Sequence, residues 1–184
     1  MNNKGFTLIE AIVSLAIFIV ISAALAQIIV VSIQNQIKIT TTQNMFDQAI
    51  FALDKIEKEL RMAKKDTDGG CVGLGNNYAT SLNSITFLHH DQVSGLIKCK
   101  KFVLEGGKIR EYISENKIAT FVEGVDVTGD VVNVEDLRFN KIGDGRDDNL
   151  QPKITMIMKM KNKKIENSSS IMLQATISQR RLDL

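Results

Sequence analysis

The sequence contains no tryptophan, two histidines and a single proline among its 184 residues. Aromatic residues make up only 5% of the chain, which leaves little material for the stacking surfaces that bind single-stranded nucleic acid. The sequence shows no pairing of a nucleophile with a base, no phosphate-binding glycine loop and no paired carboxylates. These absences argue against an enzyme and against a nucleic-acid-binding domain.

Charged residues are missing from one long stretch, residues 11–37, and neither proline nor glycine occurs in residues 6–68. About 20 consecutive apolar residues are enough to cross the hydrocarbon core of a bilayer as a helix. We therefore predict one long helix, with a membrane-spanning part over residues 6–33 and an amphipathic part over residues 34–65.

Charge is distributed unevenly along the chain, although the net charge is only +2. Residues 1–65 carry seven basic and five acidic residues, which accounts for the whole excess, and residues 66–184 carry 16 of each sign. A neutral distal part does not suit nonspecific nucleic-acid binding, for which a basic surface is the usual footprint. No nucleic-acid partner is expected.

Three interpretations of the apolar segment compete. A secretory signal peptide has a shorter apolar core, although small residues at 22–26 resemble a cleavage site. An ordinary anchor, with Lys4 held inside by the positive-inside rule, leaves Glu10 unexplained. A carboxylate at the edge of an apolar span is costly, so Glu10 is a functional candidate.

Residues 4–11 read Lys-Gly-Phe-Thr-Leu-Ile-Glu-Ala and lead directly into the apolar stretch. This motif resembles the processing site of type IV pilins and of the pseudopilins of type II secretion and competence systems. The resemblance implies that residues 1–5 are a leader, that prepilin peptidase cuts after Gly5, and that the amino group of Phe6 becomes methylated. It further implies that Glu10 assists entry into a filament of pilin-type subunits.

One departure from the resemblance concerns the middle of the apolar segment. Many major pilins have a helix-kinking proline where this chain has Gln27. The departure favours a minor subunit, and the layout of the distal part is similar to larger minor pilins and to J-type minor pseudopilins. A minor or tip-proximal role is therefore an expectation from the resemblance.

The position of Glu10 has a chemical consequence if the chain is cut after Gly5. The new amine of Phe6 lies four residues before Glu10, so both groups fall on the same helical face. Glu10 can then pair with its own amine or with that of a neighbouring subunit, which relieves the cost of a lone charge in lipid. The alternative is a first-turn acid that is stabilised only by the helix dipole.

The distal part predicts an α+β fold. Helical spacing of apolar residues from Phe46 to Ala63 predicts a buried stripe, made of Phe46, Ala49, Ile50, Leu53, Ile56, Leu60 and Ala63. Residues 66–77 predict a loop, and strands are expected over residues 84–89, 96–104, 108–113, 118–127, 132–142, 153–161 and 170–178. We expect a β-rich head over residues 66–184, packed as an antiparallel sheet on the amphipathic part of the helix.

The head has few candidates for special chemistry. Cys71 and Cys99 are expected to form a disulfide if the head is exported, with two free thiols as the alternative. His89 and His90 are adjacent on a predicted strand, point to opposite faces and so do not suit one metal ion. A calcium ion is the weak alternative to a solvated acidic turn at residues 144–149, through the oxygens of Asp144, Asp147 and Asp148.

These observations predict a non-enzymatic, single-pass membrane subunit of a pilin-like filament, with its head outside the cytoplasm. One alternative is a membrane-anchored adhesin or DNA-binding module that uses the pilin-type segment only as a stem. The other is an anchored or exported enzyme, which no cluster of residues supports. The sequence does not distinguish secretion, DNA uptake, adhesion and motility as the purpose of the filament.

Overall fold

The computed structural model describes residues 5, 7–91, 94–144, 150–163 and 170–180. In chain order the elements are α1 (Leu8–Arg61), β1 (Ala63–Lys64), β2 (Tyr78–Ser81), β3 (Ser84–His90), β4 (Ile97–Glu105), β5 (Lys108–Ile113), β6 (Gly124–Asp126), β7 (Val132–Ile142), β8 (Lys153–Asn162) and β9 (Ile171–Ser178). The chain divides into two compact units, residues 1–43 and residues 44–184.

The first unit contains residues 8–43 of α1, an aliphatic helix without a proline or glycine to interrupt it. Polar hydroxyls in this segment bond to the helix itself: the Thr41 hydroxyl donates to the Ile37 carbonyl at 2.6 Å. The large aliphatic side chains are all at least half exposed, from 50% at Val31 to 80% at Leu8. The segment 11–33 of this helix therefore presents a mainly apolar surface on all sides, whereas residues 34–43 are mostly polar.

The second unit contains residues 44–61 of α1 and two antiparallel sheets. The larger sheet has the strand order β1-β3-β4-β5-β6, with β2 also paired to β3, and the smaller sheet has the order β7-β8-β9. The turn at Gly106 and Gly107 joins β4 to β5, and both glycines have positive φ, at 59° and 77°. The predicted α+β architecture, with a long helix packed on antiparallel sheets, is confirmed.

The core of the second unit lies between the helix and the two sheets. Ala49, Ala52 and Ile56 of α1 are all fully buried, and the two alanines leave room for the strands to approach the helix closely. On β8 the inward residues alternate as predicted, with Ile154, Met156, Met158 and Met160 all at most 1% exposed. The rings of Phe87 and Phe102 stack within this core, with centroids 5.9 Å apart.

The buried face of α1 differs from the predicted stripe. Phe46 and Ile50 are 40% and 50% exposed, and Met45 and Ala52 are buried instead. The buried face is therefore rotated relative to the predicted stripe, and it combines the small Ala49 and Ala52 with the larger Met45, Ile56 and Leu60. The prediction that Phe46 and Ile50 belong to the core is wrong.

The helix ends at Arg61, so the prediction of a helix to residue 65 is also wrong. Ala63 and Lys64 form β1 and pair with β3. The carbonyls at the helix end are satisfied from elsewhere in the fold, because the Tyr78 hydroxyl donates to Leu60 at 2.8 Å and the Arg180 amide donates to Arg61 at 3.0 Å. These long-range donors stop the helix where no proline or glycine does so.

Two strand predictions need correction. The strand expected over residues 118–127 exists only as β6, because the Ala119 amide donates to the Gly70 carbonyl and draws residues 118–123 away from the sheet. Val122, in this segment, is 82% exposed. Strand β2 was not predicted, although its Tyr78 is buried and pairs with Phe87 of β3.

Candidate processing and assembly site

The first turn of α1 is capped by residues of the processing motif. Thr7 directly precedes the helix, and the Glu10 amide donates to its hydroxyl oxygen at 3.4 Å. The Thr7 hydroxyl in turn lies 3.5 Å from a carboxylate oxygen of Glu10. The spacing of threonine and glutamate is that of a capping box, in which the two residues satisfy free groups at a helix start. This spacing is visible in the sequence, but the cap was not predicted from it.

Glu10 thus has a local structural role as well as the predicted one. Its side chain is exposed at the start of an apolar helix whose large aliphatic residues are all exposed too. An acid in the first turn is favoured by the helix dipole. The capping contact holds this carboxylate beside the start of α1 and leaves it accessible to a positively charged partner.

Gly5 is exposed, and a Cβ atom added to it would meet nothing within 4 Å. The fold therefore does not require glycine at position 5, so any requirement for it must come from an enzyme that reads the motif. Phe6 and residues 1–4 lie outside the described residues, and the predictions on them stay predictions.

The apolar part of α1 is long and hydrophobic enough to cross a membrane. Residues 11–37 contain no charged side chain, and none of the described residues 8–43 apart from 41 and 42 is even partly buried. A signal sequence can have the same length and composition. The apolar helix therefore indicates a membrane anchor only in combination with the motif at residues 5–10. The N-terminal apolar helix and the motif fit membrane anchoring.

In the head, Cys71 and Cys99 form a disulfide with their Cα atoms 5.7 Å apart. It joins the loop after β1 to strand β4. The same loop is organised by Asp66, which is fully buried and accepts four backbone N–H bonds, from residues 68, 69, 71 and 72, at 2.7–3.2 Å. Burial alone would raise the pKa of Asp66, but these four donors outweigh it and lower the pKa below its ordinary range.

Asp144 is the described member of the calcium candidate. Its carboxylate accepts the Asn77 amide at 2.7 Å and the Lys141 ammonium at 3.0 Å, so both oxygens already face hydrogen-bond donors. Asp147 and Asp148 lie outside the described residues. The calcium hypothesis therefore stays an untested prediction, and Asp144 has a structural role between β2 and β7 in any case.

A buried ion network joins α1 to the larger sheet. Lys100 of β4 lies 2.7 Å from Glu59 of α1 and 3.2 Å from Glu111 of β5, and Lys55 lies 2.5 Å from Glu111. Burial would raise the pKa of Glu111, yet the two ammonium groups of Lys55 and Lys100 lower it. This network was not predicted, because its four residues come from three separate elements.

His89 borders this network. Its Nδ1 atom lies 3.2 Å from Glu59, but the alignment is not that of a hydrogen bond. Burial lowers the pKa of His89 and is opposed by the charge of Glu59. Within the part of the chain that the structure describes, no three histidine, cysteine or acidic residues are arranged to hold a metal ion.

Comparisons with known proteins agree with this geometry. Residues 1–26 match the family model of the prokaryotic N-terminal methylation motif. Among solved structures, the chain is similar to a type IV-like pilin, TTHA1219 from Thermus thermophilus, with a TM-score of 0.57 and 9% sequence identity, over 75% of this chain and 98% of that one. No curated protein matches the sequence. The chain thus carries the methylation motif and has a type IV pilin-like fold.

Proposed function

We propose that this protein is a structural subunit of a pilin-like filament, made as a precursor and processed after Gly5. The observation that carries the proposal is the arrangement at the start of α1. The motif at residues 5–10 leads into a helix with exposed aliphatic side chains on every side, and Glu10 is exposed at the start of this helix. The motif match and the pilin-like fold support the same function.

The mechanism has three steps. Hydrolysis of the Gly5–Phe6 peptide bond by prepilin peptidase releases the leader and creates a new amine, which is then methylated. The apolar part of α1 anchors the subunit as a single span, with the head outside the cytoplasm. Assembly then replaces lipid contacts by contacts with neighbouring helices, so packing and charge pairing, rather than hydrophobic transfer, drive it.

In this proposal Glu10 pairs with the amine of Phe6, in its own subunit or in a neighbour. The capping contact with Thr7 orients the carboxylate toward the chain start. A buried charge in an apolar bundle is tolerated only with a partner, so the pair favours ordered assembly over irregular association.

We also propose that the subunit is minor or lies near the filament tip. Gln27 lies within a continuous α-helix, where many major pilins carry a kinking proline. Immunogold labelling of filaments tests this: labels confined to one end support a tip position, and uniform labels along the shaft contradict it.

The processing step is tested by co-expression with a prepilin peptidase and mass spectrometry of the intact chain. The wild-type protein should lose residues 1–5 and gain one methyl group at Phe6. Gly5→Leu should remain uncut, and the fold should be unaffected because, among the described residues, no atom lies within 4 Å of a Cβ at position 5. Asn3→Leu is the matched control and should be processed normally. Efficient cleavage of Gly5→Leu would contradict the proposal.

A further inference from the structure

The outer edge of β9 is an unprotected strand edge. Its eight residues, Ile-Met-Leu-Gln-Ala-Thr-Ile-Ser, include no charged residue, proline or glycine. It is the last strand of the smaller sheet, and among the described residues β8 is the one strand that pairs with it, so its other edge has no partner strand there. Free backbone groups along such an edge form a template to which a further strand can add.

The other sheet edges carry the protection that β9 lacks. β6 is only three residues long, and its Asp126 is tied to Lys108 and Arg110 by ion pairs at 2.7 and 2.9 Å. β7 has a register shift between Val134 and Asp136, which marks a bulge. β1 and β2, at the other edge of the larger sheet, are only two and four residues long. Short length, charge and bulges all discourage strand addition, so among the described edge strands β9 combines a length of eight residues with the absence of charge and of a bulge.

The hydrophobic core also reaches the β9 edge. Ile171 and Leu173 pack against the core but are only partly buried, whereas Ile177 at the other end of the strand is fully buried. On the opposite face Met172 is 67% exposed. An added strand with alternating side chains would cover Ile171 and Leu173 on its inner face and contact Met172 on its outer face.

A cationic cleft of about 950 Å³ lies at the carboxyl end of β9. Ser178, Gln179 and Arg180 form one part of its wall. Five basic residues and two carboxylates line the cleft; these are Lys58, Arg61, Lys98, Lys100 and Arg180, with Glu59 and Asp91. Two carboxylates outside the lining also neutralise part of this charge, because Glu57 pairs with Arg61 and Glu111 lies 3.2 Å from Lys100.

The two carboxylates of the cleft are already engaged. Glu59 lies 2.7 Å from Lys100, and Asp91 lies 3.7 Å from Lys98. Lys58 and Arg180, in contrast, form no ion pair with another described residue and are both exposed. The cleft therefore retains accessible positive charge next to the end of the strand.

Gln179, which directly follows β9, has an unsatisfied hydrogen-bonding group. The residue is 1% exposed, and its amide nitrogen donates to the Ala63 carbonyl at 2.8 Å. Its Oε1 atom is buried and has no hydrogen-bond partner in the described part of the molecule. A buried amide oxygen without a donor is costly, and Gln179 is one of the residues that line the cleft.

We propose that the β9 edge and this cleft together bind an extended peptide segment of a partner protein. The segment adds as an antiparallel strand to β9, with alternating apolar residues, and its amino-terminal end carries acidic residues that lie in the cleft beside Lys58 and Arg180. The antiparallel direction follows every other strand pairing in the two sheets, and it places the first residues of the segment next to Ser178.

A second copy of β9 fits this site less well. Antiparallel pairing of β9 with itself would bring the residues just before Ile171 to the cleft. Those residues, Asn167, Ser168, Ser169 and Ser170, are uncharged, so the excess positive charge would stay unneutralised. Charge complementarity thus selects an acidic partner segment over self-association.

The test uses the full chain in detergent micelles and a synthetic peptide, acetyl-DEDTVTITVT-amide, with fluorescence anisotropy and hydrogen exchange as readouts. The peptide should bind, slow the exchange of amides in residues 171–178, and lose affinity as salt rises. A peptide without the acidic end, acetyl-SNSTVTITVT-amide, should bind less tightly, because it places no negative charge in the cleft.

Charge-reversal variants locate the acidic end of the peptide. The double variant Lys58→Glu with Arg180→Glu should weaken binding about tenfold, since it converts two attractions into repulsions. Lys163→Glu is the matched control. This exposed lysine follows the carboxyl end of β8, at the end of the sheet away from the cleft, and reversing its charge should not weaken binding. Circular dichroism and thermal melts establish that each variant is folded.

Several results would overturn the proposal. These are absence of binding, binding without protection of β9 amides, equal affinity for the two peptides, and equal losses for the double variant and for Lys163→Glu. Concentration-dependent protection of β9 without any peptide would identify a second copy as the occupant and would contradict the proposal too. None of these readouts depends on cleavage after Gly5, so they are independent of the proposed processing.

Discussion

The ammonium group of Lys100 lies 2.7 Å from the carboxylate of Glu59. This ion pair joins the middle of strand β4 to the last turns of helix α1. Side chains of both residues are largely withdrawn from water, at 10% and 17% exposure. The pair is extended through Glu111 to Lys55, so helix and sheet are joined by charges as well as by the apolar core. The network is a structural feature of the head from which stability effects follow.

Replacing Lys100 by methionine should destabilise the head. The change leaves Glu59 without its main partner and Glu111 with only Lys55, and breaking a buried pair from one side costs about 3 kcal/mol. Urea unfolding monitored by circular dichroism measures the loss. Lys101→Met, one residue along the same strand, is the control and should change stability by less than about 0.5 kcal/mol. Equal effects of the two variants would show that the network contributes no stability.

Asp66→Asn should destabilise the head in a pH-dependent way. The asparagine amide cannot accept all four N–H bonds, so we expect a loss of about 2 kcal/mol at pH 7. The folded-state pKa of Asp66 lies below its ordinary value of 3.8, so the carboxylate stabilises the fold above that pH. This contribution is lost as the pH falls through the folded-state pKa.

The difference between wild type and Asp66→Asn should therefore be constant near neutral pH and shrink below pH 3.8. Unfolding curves at a series of pH values measure it. Asp54→Asn serves as control, because Asp54 is exposed on α1 and forms no ion pair with another described residue. A difference that stays constant down to the lowest pH would show that the charge of Asp66 is not the cause.

Removing the disulfide should destabilise the head strongly. The bond closes a loop with a sequence separation of 28 residues, for which the chain-entropy relation gives about 3.5 kcal/mol. We expect this loss for Cys71→Ser with Cys99→Ser in denaturant unfolding. A reducing agent should lower the stability of the wild-type protein and leave the double variant unchanged. Sensitivity of the double variant to the reducing agent would contradict the assignment of the effect to this bond.

The sequence predicted those parts of the fold that depend on local pattern. The alternation from Ile154 to Met160 predicted β8, because inward and outward residues on a strand repeat every two positions. The motif at residues 5–10 predicted the processing site for the same reason: all of its information lies within one short segment.

What the sequence did not predict depends on contacts between distant residues. The helix end at Arg61 is set by donors from Tyr78 and Arg180, and the buried Lys100 draws its partners from α1 and β5. Phe46 was assigned to the core by its spacing, but close packing of helix on sheet favours the small side chain of Ala52 there. Local periodicity contains no information on such long-range choices.

The two roles of Glu10 can be separated by substitutions in the first turn of α1. If its charge drives assembly, Glu10→Gln should be processed normally but enter filaments poorly, and Glu10→Asp should retain part of the function.

Thr7→Val removes the hydroxyl that contacts Glu10 and costs about 1 kcal/mol of helix capping. Thr7→Val should still assemble, because the loss of the cap leaves the charge pair intact. An unpaired amine in lipid costs more free energy than the lost cap does. Quantitative immunoblots of sheared filament and cell fractions give both amounts. Normal assembly of Glu10→Gln together with a defect in Thr7→Val would assign the motif's glutamate to capping rather than to charge pairing.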